Sequence, residues 1–379
     1  MVTAPVQAPV RWISNSGDLD AWLKARPDAM LALDTEFERV STFFPIPGLV
    51  QLGLDDDFCL VDPSVAEQSA MFCSMLADPD RPKLLYAMSE DLELFRHWLD
   101  LEPAGLLDLQ IGAALAGAGF SVGYARLVET LFGETLDKSA TRSDWLARPL
   151  TARQERYALD DVRFLKPLYH WVMAGLDSKG LAPALAEESA RFAHDLGSHN
   201  DPDEYYLKIR GGWQLSPAAQ AVLQALAAWR ETECRLRDRP RNRILSDPLL
   251  IAIADRLPGS TGELAAIRDL PPVVVRRYGD RLLALVDQGQ QNRQATFGPV
   301  DPPLTREEQG LYKQVKRALA GVAENHDVPI ELLSPRRRLE AIIRSRGQAG
   351  TTGLGTLREG WRGDLIEPAQ DRIQAILNA

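Results

Sequence analysis

The chain has 379 residues, 45% hydrophobic and 25% charged, with 43 Lys and Arg against 53 Asp and Glu for a net charge of −10. That is an ordinary globular composition with room for two or three domains and a core that folds without staples. Cys59, Cys73 and Cys234 are scattered and form no C-x-x-C pair, which argues against a disulfide framework or a zinc site. No apolar run approaches the ~18 residues of a membrane span, and no export signal opens the chain, so a cytoplasmic protein without membrane contact is expected.

In chain order, apolar runs over residues 30–37, 49–54 and 58–61 read as consecutive strands, with the acidic turn Asp55-Asp56-Asp57 between the second and third. Residues 83–88 and 106–107 read as later strands followed by helices, which makes the first half a mixed α/β sheet flanked by helices. The first strand ends Leu33-Asp34-Thr35-Glu36-Phe37, and alternate strand residues share a face, so Asp34 and Glu36 converge. Asp91 opens a helix-like segment after the run Leu84–Met88. In the helical run 151–170, Tyr157 and Asp161 are four apart and share a face, while Asp160 lies about 100° away. Three carboxyl sources and a tyrosine are the makings of a site for a hard metal ion.

A polar break over His199-Asn200-Asp201-Pro202-Asp203 and the Gly211-Gly212 pair place a boundary near 200–212, and beyond it the pattern is helical. Ser216-Pro217 starts a helix over 218–237, Ser246-Asp247-Pro248 starts another over 249–257, and two more open at Thr261 and Pro271. A polar, then Pro-rich stretch follows. A second helical array begins at the capped Thr305-Arg306-Glu307-Glu308, with a further capped start at Ser334-Pro335 and Gly353, Gly355, Gly360 and Gly363 punctuating later turns. The expected organisation is a catalytic domain over 1–200, a linker over 201–212, a bundle over 213–290, a linker over 291–303 and a second bundle over 304–379.

Asp34-x-Glu36, Ser89-Glu90-Asp91-Leu92-Glu93-Leu94-Phe95 and Tyr157-x-x-x-Asp161 resemble the three exonuclease motifs of the DEDD superfamily in its tyrosine-bearing (DEDDy) branch. Leu136-Asp137-Lys138-Ser139 and Ser143-Asp144-Trp145-Leu146-Ala147-Arg148-Pro149-Leu150 resemble the ribonuclease D family in particular. The helical array over 213–290 resembles the HRDC domain, and 304–379 matches the second, more diverged HRDC-like domain of that family in size and position. The resemblance implies an α/β ribonuclease H-like exonuclease domain followed by two small all-α HRDC-type bundles. It also implies a 3′-5′ exoribonuclease that trims the 3′ ends of tRNA precursors and other small structured RNAs and releases nucleoside 5′-monophosphates; a monomer is expected.

By the same resemblance two divalent ions, Mg²⁺ or Mn²⁺, are held by Asp34, Glu36, Asp91 and Asp161, with Asp34 bridging. Tyr157 holds the attacking water, and the absence of His from 154–164 selects the tyrosine branch. One departure stands out: a His-Ala-Gly-like turn usually precedes the Ser-Glu-Asp-Leu string, and here it reads Tyr86-Ala87-Met88.

Substrate contacts are expected from Phe37 and Leu94 at the terminal base. Lys138, Arg142, Trp145 and Arg148 mix cations with an aromatic, as single-strand binding does. The competing reading of that run is a buried Trp145 with Arg148 in an internal salt bridge. Residues 1–200 carry a net −13 and 201–379 a net +3, which suits an acidic metal-holding half and a rear half that touches phosphates. Arginine clusters at 230–243 and 336–346 are candidates for RNA contact, or else ordinary surface pairs with Glu231, Glu233, Asp238 and Glu340. Two rival readings are a DNA-directed 3′-5′ exonuclease and a catalytically inert RNA-binding protein.

Overall fold

The computed structural model describes residues 9–198, 201–291, 298–346 and 354–378. Among these, six strands form one sheet: Trp12–Ile13 (β1), Leu31–Glu38 (β2), Ile46–Leu54 (β3), Asp57–Val61 (β4), Lys83–Leu85 (β5) and Leu106–Asp108 (β6). Their order is β1-β4-β3-β2-β5-β6, antiparallel from β4 through β3 to β2 and parallel elsewhere, so the predicted mixed sheet is present. The two-residue β1 is too short to leave a periodic signal and was not predicted. β2 is central, and Leu31, Leu33, Leu49, Leu52 and Leu60 on the three middle strands are fully buried.

Two expected elements are shorter than the sequence suggests. The strand over 83–88 stops at Leu85, because Ala87 turns into the left-handed region at φ 60° and no longer pairs. The N–H groups of Ala87 and Met88 instead donate to the Asp108 carboxylate at 3.0 and 3.1 Å. The helical run 151–170 divides at Phe164 into Ala152–Arg163 and Leu165–Ser178.

The chain falls into two compact units. The first joins residues 1–38 and 46–193, which carry the sheet, to 304–379. The last helices, Arg306–Asn325, Ile330–Leu333, Arg336–Ser345, Trp361–Ile366 and Gln370–Asn378, share one hydrophobic core with the sheet-bearing part. Buried charge fixes them there. Glu188, 1% exposed, accepts from Trp361 Nε1 at 2.9 Å and pairs with Arg362 and Arg191, while Arg362 also donates to the Leu332 carbonyl. Thr305 makes the predicted capping box with Glu308. Ser334 does not cap: its hydroxyl is buried without a partner, and Pro335 stands at the helix start.

The second unit comprises residues 39–45 and 194–303. Pro217–Arg237, Asp247–Arg256, Thr261–Ala265 and Pro272–Gln291 are helices close to their predicted bounds. Within the span read as a linker, Pro202–Lys208 forms a 3₁₀ helix whose Tyr206 is buried and donates to the Gly298 carbonyl. The loop 39–45 contributes Phe43 to this core, and the N–H groups of Phe43 and Phe44 donate to Asp238 Oδ1 at 2.8 and 3.0 Å. His199-Asn200, residues 292–297 and Gly353, named above as breaks or turns, lie outside the described residues. Among the described residues, no helix is long and apolar enough to cross a membrane.

Candidate active site

Three elements deliver the acidic side chains. β2 presents Asp34 and Glu36 from one face, as the alternation requires, and Asp34 stands opposite Gln51 on β3. After Glu36 the register slips by one residue at Gly48, the residue of β3 left over between the Glu36–Leu49 and Phe37–Pro47 pairs. A side chain at Gly48 would lie 2.9 Å from Cβ and the carbonyl of Trp145, so glycine is what lets the loop before the Tyr157 helix close on the end of β2.

The Ala152–Arg163 helix packs on β2, and its register is set at its start. Thr151 and Gln154 form a capping box, and Gln154 Nε2 reaches back to the Asp144 carbonyl at 3.0 Å. That register places Asp161, not Asp160, beside β2: oxygens of Asp34, Glu36 and Asp161 lie within 4.8 Å of one another, while Asp160 pairs with Arg163 at 3.1 Å. Asp91 sits in the first turn of Ser89–Trp98, where the helix dipole favours a carboxylate, and Asp108 anchors the turn just before it. It stands beside the trio rather than within it, and its Oδ1 accepts from Thr35 Oγ1 at 2.5 Å.

Among the described residues, the charges that act on these carboxylates are mainly other carboxylates, and like charges disfavour one another's ionised form. Burial, followed by Asp161, Asp91 and Glu36, raises the Asp34 carboxyl well above its ordinary range. Burial with Asp161 and Asp91 pushes Glu36 up to about 9. Asp161 reaches about 8 through burial and Asp160, against the hydrogen bond it receives from Tyr157. Asp91 reaches about 6 through burial, against the bond from Thr35. This all-oxygen donor set fits hard divalent ions.

Tyr157 lies one turn before Asp161. Its phenol is raised above its usual range by burial and Asp161, so it stays neutral, and Thr141 Oγ1 donates to it at 3.4 Å. Tyr124, half-buried and anchored to the Asp160 carbonyl at 2.9 Å, feels Asp161 and Asp34 as well. Sequence reasoning missed Thr35, Gln51, Thr141 and Tyr124. Only Thr35 carried a signal, as the residue between two acids. Gln51, fully buried, donates to Asp34 Oδ2 at 3.3 Å.

Two of the expected substrate contacts, Trp145 and Leu94, are buried inside the fold. Trp145 is 2% exposed and its ring centroid lies 5.9 Å from that of Tyr157. Arg148 is exposed and pairs with Asp62 at the surface, donating also to the Trp145 and Gly48 carbonyls, so Trp145 is buried as the competing reading has it but the salt bridge is not internal. Leu94 is fully buried in the core, with no surface to offer a base in this conformation. Phe37 is half-buried near the end of β2, and Lys138 and Arg142 are exposed.

Fold and carboxylates together define a 3′-5′ exonuclease. The family description "3'-5' exonuclease" matches residues 10–176, and "HRDC domain" matches 219–286. Ribonuclease D of Pseudomonas paraeruginosa is 38% identical over 100% of this chain and 98% of its own length, and that of Escherichia coli K12 is 36% identical over 89% and 91%. The crystal structure of Escherichia coli RNase D, described as an exoribonuclease involved in structured RNA processing, superposes with a TM-score of 0.87 at 34% identity, covering 97% of this chain and 99% of that one. The chain belongs to the ribonuclease D family of hydrolytic, divalent-metal-dependent exoribonucleases.

Proposed function

We propose that this chain trims the 3′ trailers of tRNA precursors and other small structured RNAs, one nucleotide at a time, releasing nucleoside 5′-monophosphates. The observation that carries the reading is the Asp34–Glu36–Asp161 cluster on an exonuclease fold, with Tyr157 one turn before Asp161. Two divalent ions, Mg²⁺ or Mn²⁺, would supply positive charge to the phosphate oxygens and a more acidic water. Asp34, Glu36 and Asp161 would hold them, with Asp91 contributing from the side. Because the phenol of Tyr157 stays neutral, it suits orienting the attacking water by hydrogen bonding and not removing its proton.

The RNA body needs cationic surface elsewhere. In the second unit, Arg239, Arg243 and Arg277 line a cavity of about 770 Å³ together with Tyr278, Leu236 and Val273, and among the described residues no acidic side chain lines it. The free thiols of Cys59, Cys73 and Cys234 suit a reducing cytoplasm, and we read the chain as a monomer.

The test is a labelled single-stranded RNA and its DNA counterpart incubated with Mg²⁺ or Mn²⁺. A ladder of products shortened from the 3′ end, formed on RNA and stopped by EDTA, is expected. Equal or faster shortening of DNA would transfer the reading to a DNA exonuclease, and intact RNA would leave a binding protein.

A further inference from the structure

Residue 35 lies between two acids of the site, and strand alternation turns it to the opposite face, where it is 6% exposed. A buried strand position of this kind is filled equally well in shape by valine, and a hydroxyl there is costly unless it is hydrogen-bonded. The Thr35 hydroxyl is bonded, and its partner is the carboxylate of Asp91, 56 residues further along the chain. Asp91 is itself 7% exposed, and its remaining support is a backbone N–H. Because Thr is β-branched, its χ1 is confined by the strand, so the direction of the Oγ1 donor is set by the backbone that also sets Asp34 and Glu36.

We infer that Thr35 is a positioning residue: its hydroxyl engages one oxygen of Asp91 and thereby fixes the other as that residue's donor toward a divalent ion. The inference rests on Asp91 being a metal ligand. It makes the Asp34-Thr35-Glu36 tripeptide a single device, two carboxylates on one face and the orienting hydroxyl for a third carboxylate on the other. Conserving shape without the hydroxyl should therefore weaken metal binding, while conserving the hydroxyl without the branch should largely keep it.

The experiment is calorimetric titration of the full chain, without RNA, with Mn²⁺, for the wild type, Thr35→Val, Thr35→Ser and Asp91→Asn, alongside the metal dependence of RNA hydrolysis. Thr35→Val is expected to weaken Mn²⁺ affinity about tenfold or more, the low end of losses seen when a group that orients a ligand is removed. Its turnover should recover toward wild type at saturating metal, and Thr35→Ser should bind within a few-fold of wild type. Wild-type affinity in Thr35→Val overturns the inference. So does a loss that Thr35→Ser shares, because the hydroxyl would then not be the determinant. If Asp91→Asn leaves affinity unchanged, it is the ligand reading of Asp91 that fails, and the Thr35 inference with it. Thermal melts run alongside show that each variant is folded, and Thr35→Ala, which also lacks the hydroxyl, takes the place of Thr35→Val should that variant not fold.

Discussion

Two of the regions in which this molecule buries several charges side by side differ in sign arrangement. In the second unit Arg230 and Glu231 are both fully buried, and every charge has an opposite: Glu231 pairs with Arg230, Arg235 and Arg241 at 3.4, 3.4 and 2.7 Å, and Arg230 pairs with Asp247 at 2.6 Å. Arg241 also lies over the Phe43 and Tyr205 rings at 4.8 and 4.6 Å. In the first unit Asp34, Glu36 and Asp161 crowd within 4.8 Å, and the largest electrostatic influences on each are other carboxylates. The first arrangement closes on itself and holds the fold. The second gathers like charges into one place, an arrangement that suits a bound cation.

The sharpest way to break this comparison is to neutralise one charge in each region. Asp34→Asn, Glu36→Gln or Asp161→Asn should each cost RNA hydrolysis on the order of 10³-fold, with RNA binding retained and metal-free melting temperature unchanged or raised. Turnover near wild type would remove that residue from the site. Glu231→Gln should do the reverse. It strands buried guanidinium charge and should cost about 3 kcal/mol in denaturant unfolding, while hydrolysis of short single strands persists in the folded fraction. An unaltered unfolding midpoint would show that the network is not structural.

Tyr157→Phe refines the first region: turnover should fall roughly 10²-fold with little change in melting temperature, since only the hydroxyl is lost. The titration of the acids gives a further reading. Their folded values lie above the ordinary carboxylate range of about 4, so the stability linked to their protonated forms is fully present below that range. It is then lost as pH rises through about 6, 8 and 9 for Asp91, Asp161 and Glu36. Metal-free protein should therefore melt at progressively lower temperature between about pH 5 and about pH 9, and added divalent ion should reverse the trend. A flat profile would mean the cluster carries no electrostatic strain. The smallest effect belongs to Arg239→Gln with Arg243→Gln, which should weaken binding of a tRNA-sized substrate a few-fold and reduce its salt slope by about 1 per arginine, leaving short-strand turnover intact.

The site was legible because its logic is local. Spacing of two on a strand and four on a helix put Asp34 with Glu36 and chose Asp161 over Asp160, and both choices describe the cluster. Caps were legible for the same reason at Thr305 and Ser216. Position relative to distant segments was not. Arg230 sits in a basic run that reads as a candidate for RNA contact or as ordinary surface pairs, and its burial depends on Leu245 and Asp247 folding back over it. Trp145 looks like part of an exposed nucleic-acid motif until Gly48, about a hundred residues earlier in the chain, makes room for it. Ala87 carries a left-handed backbone that propensity would assign to glycine, held by Asp108 from another strand.

The loop 39–45 adds a consequence in time. It joins β2 to β3, yet Phe43 buries in the helical core and its backbone is held by Asp238, 195 residues downstream. At ribosomal rates of ~5–20 residues per second, the partner of Phe43 leaves the exit tunnel roughly 10–40 s after it does. For that interval the nascent sheet carries an aromatic loop with nowhere to bury it. A chain shortened at residue 200 would keep it in that condition permanently, so removing the helical unit leaves a surface that invites self-association, and a nuclease domain prepared that way should be judged by its aggregation before its activity.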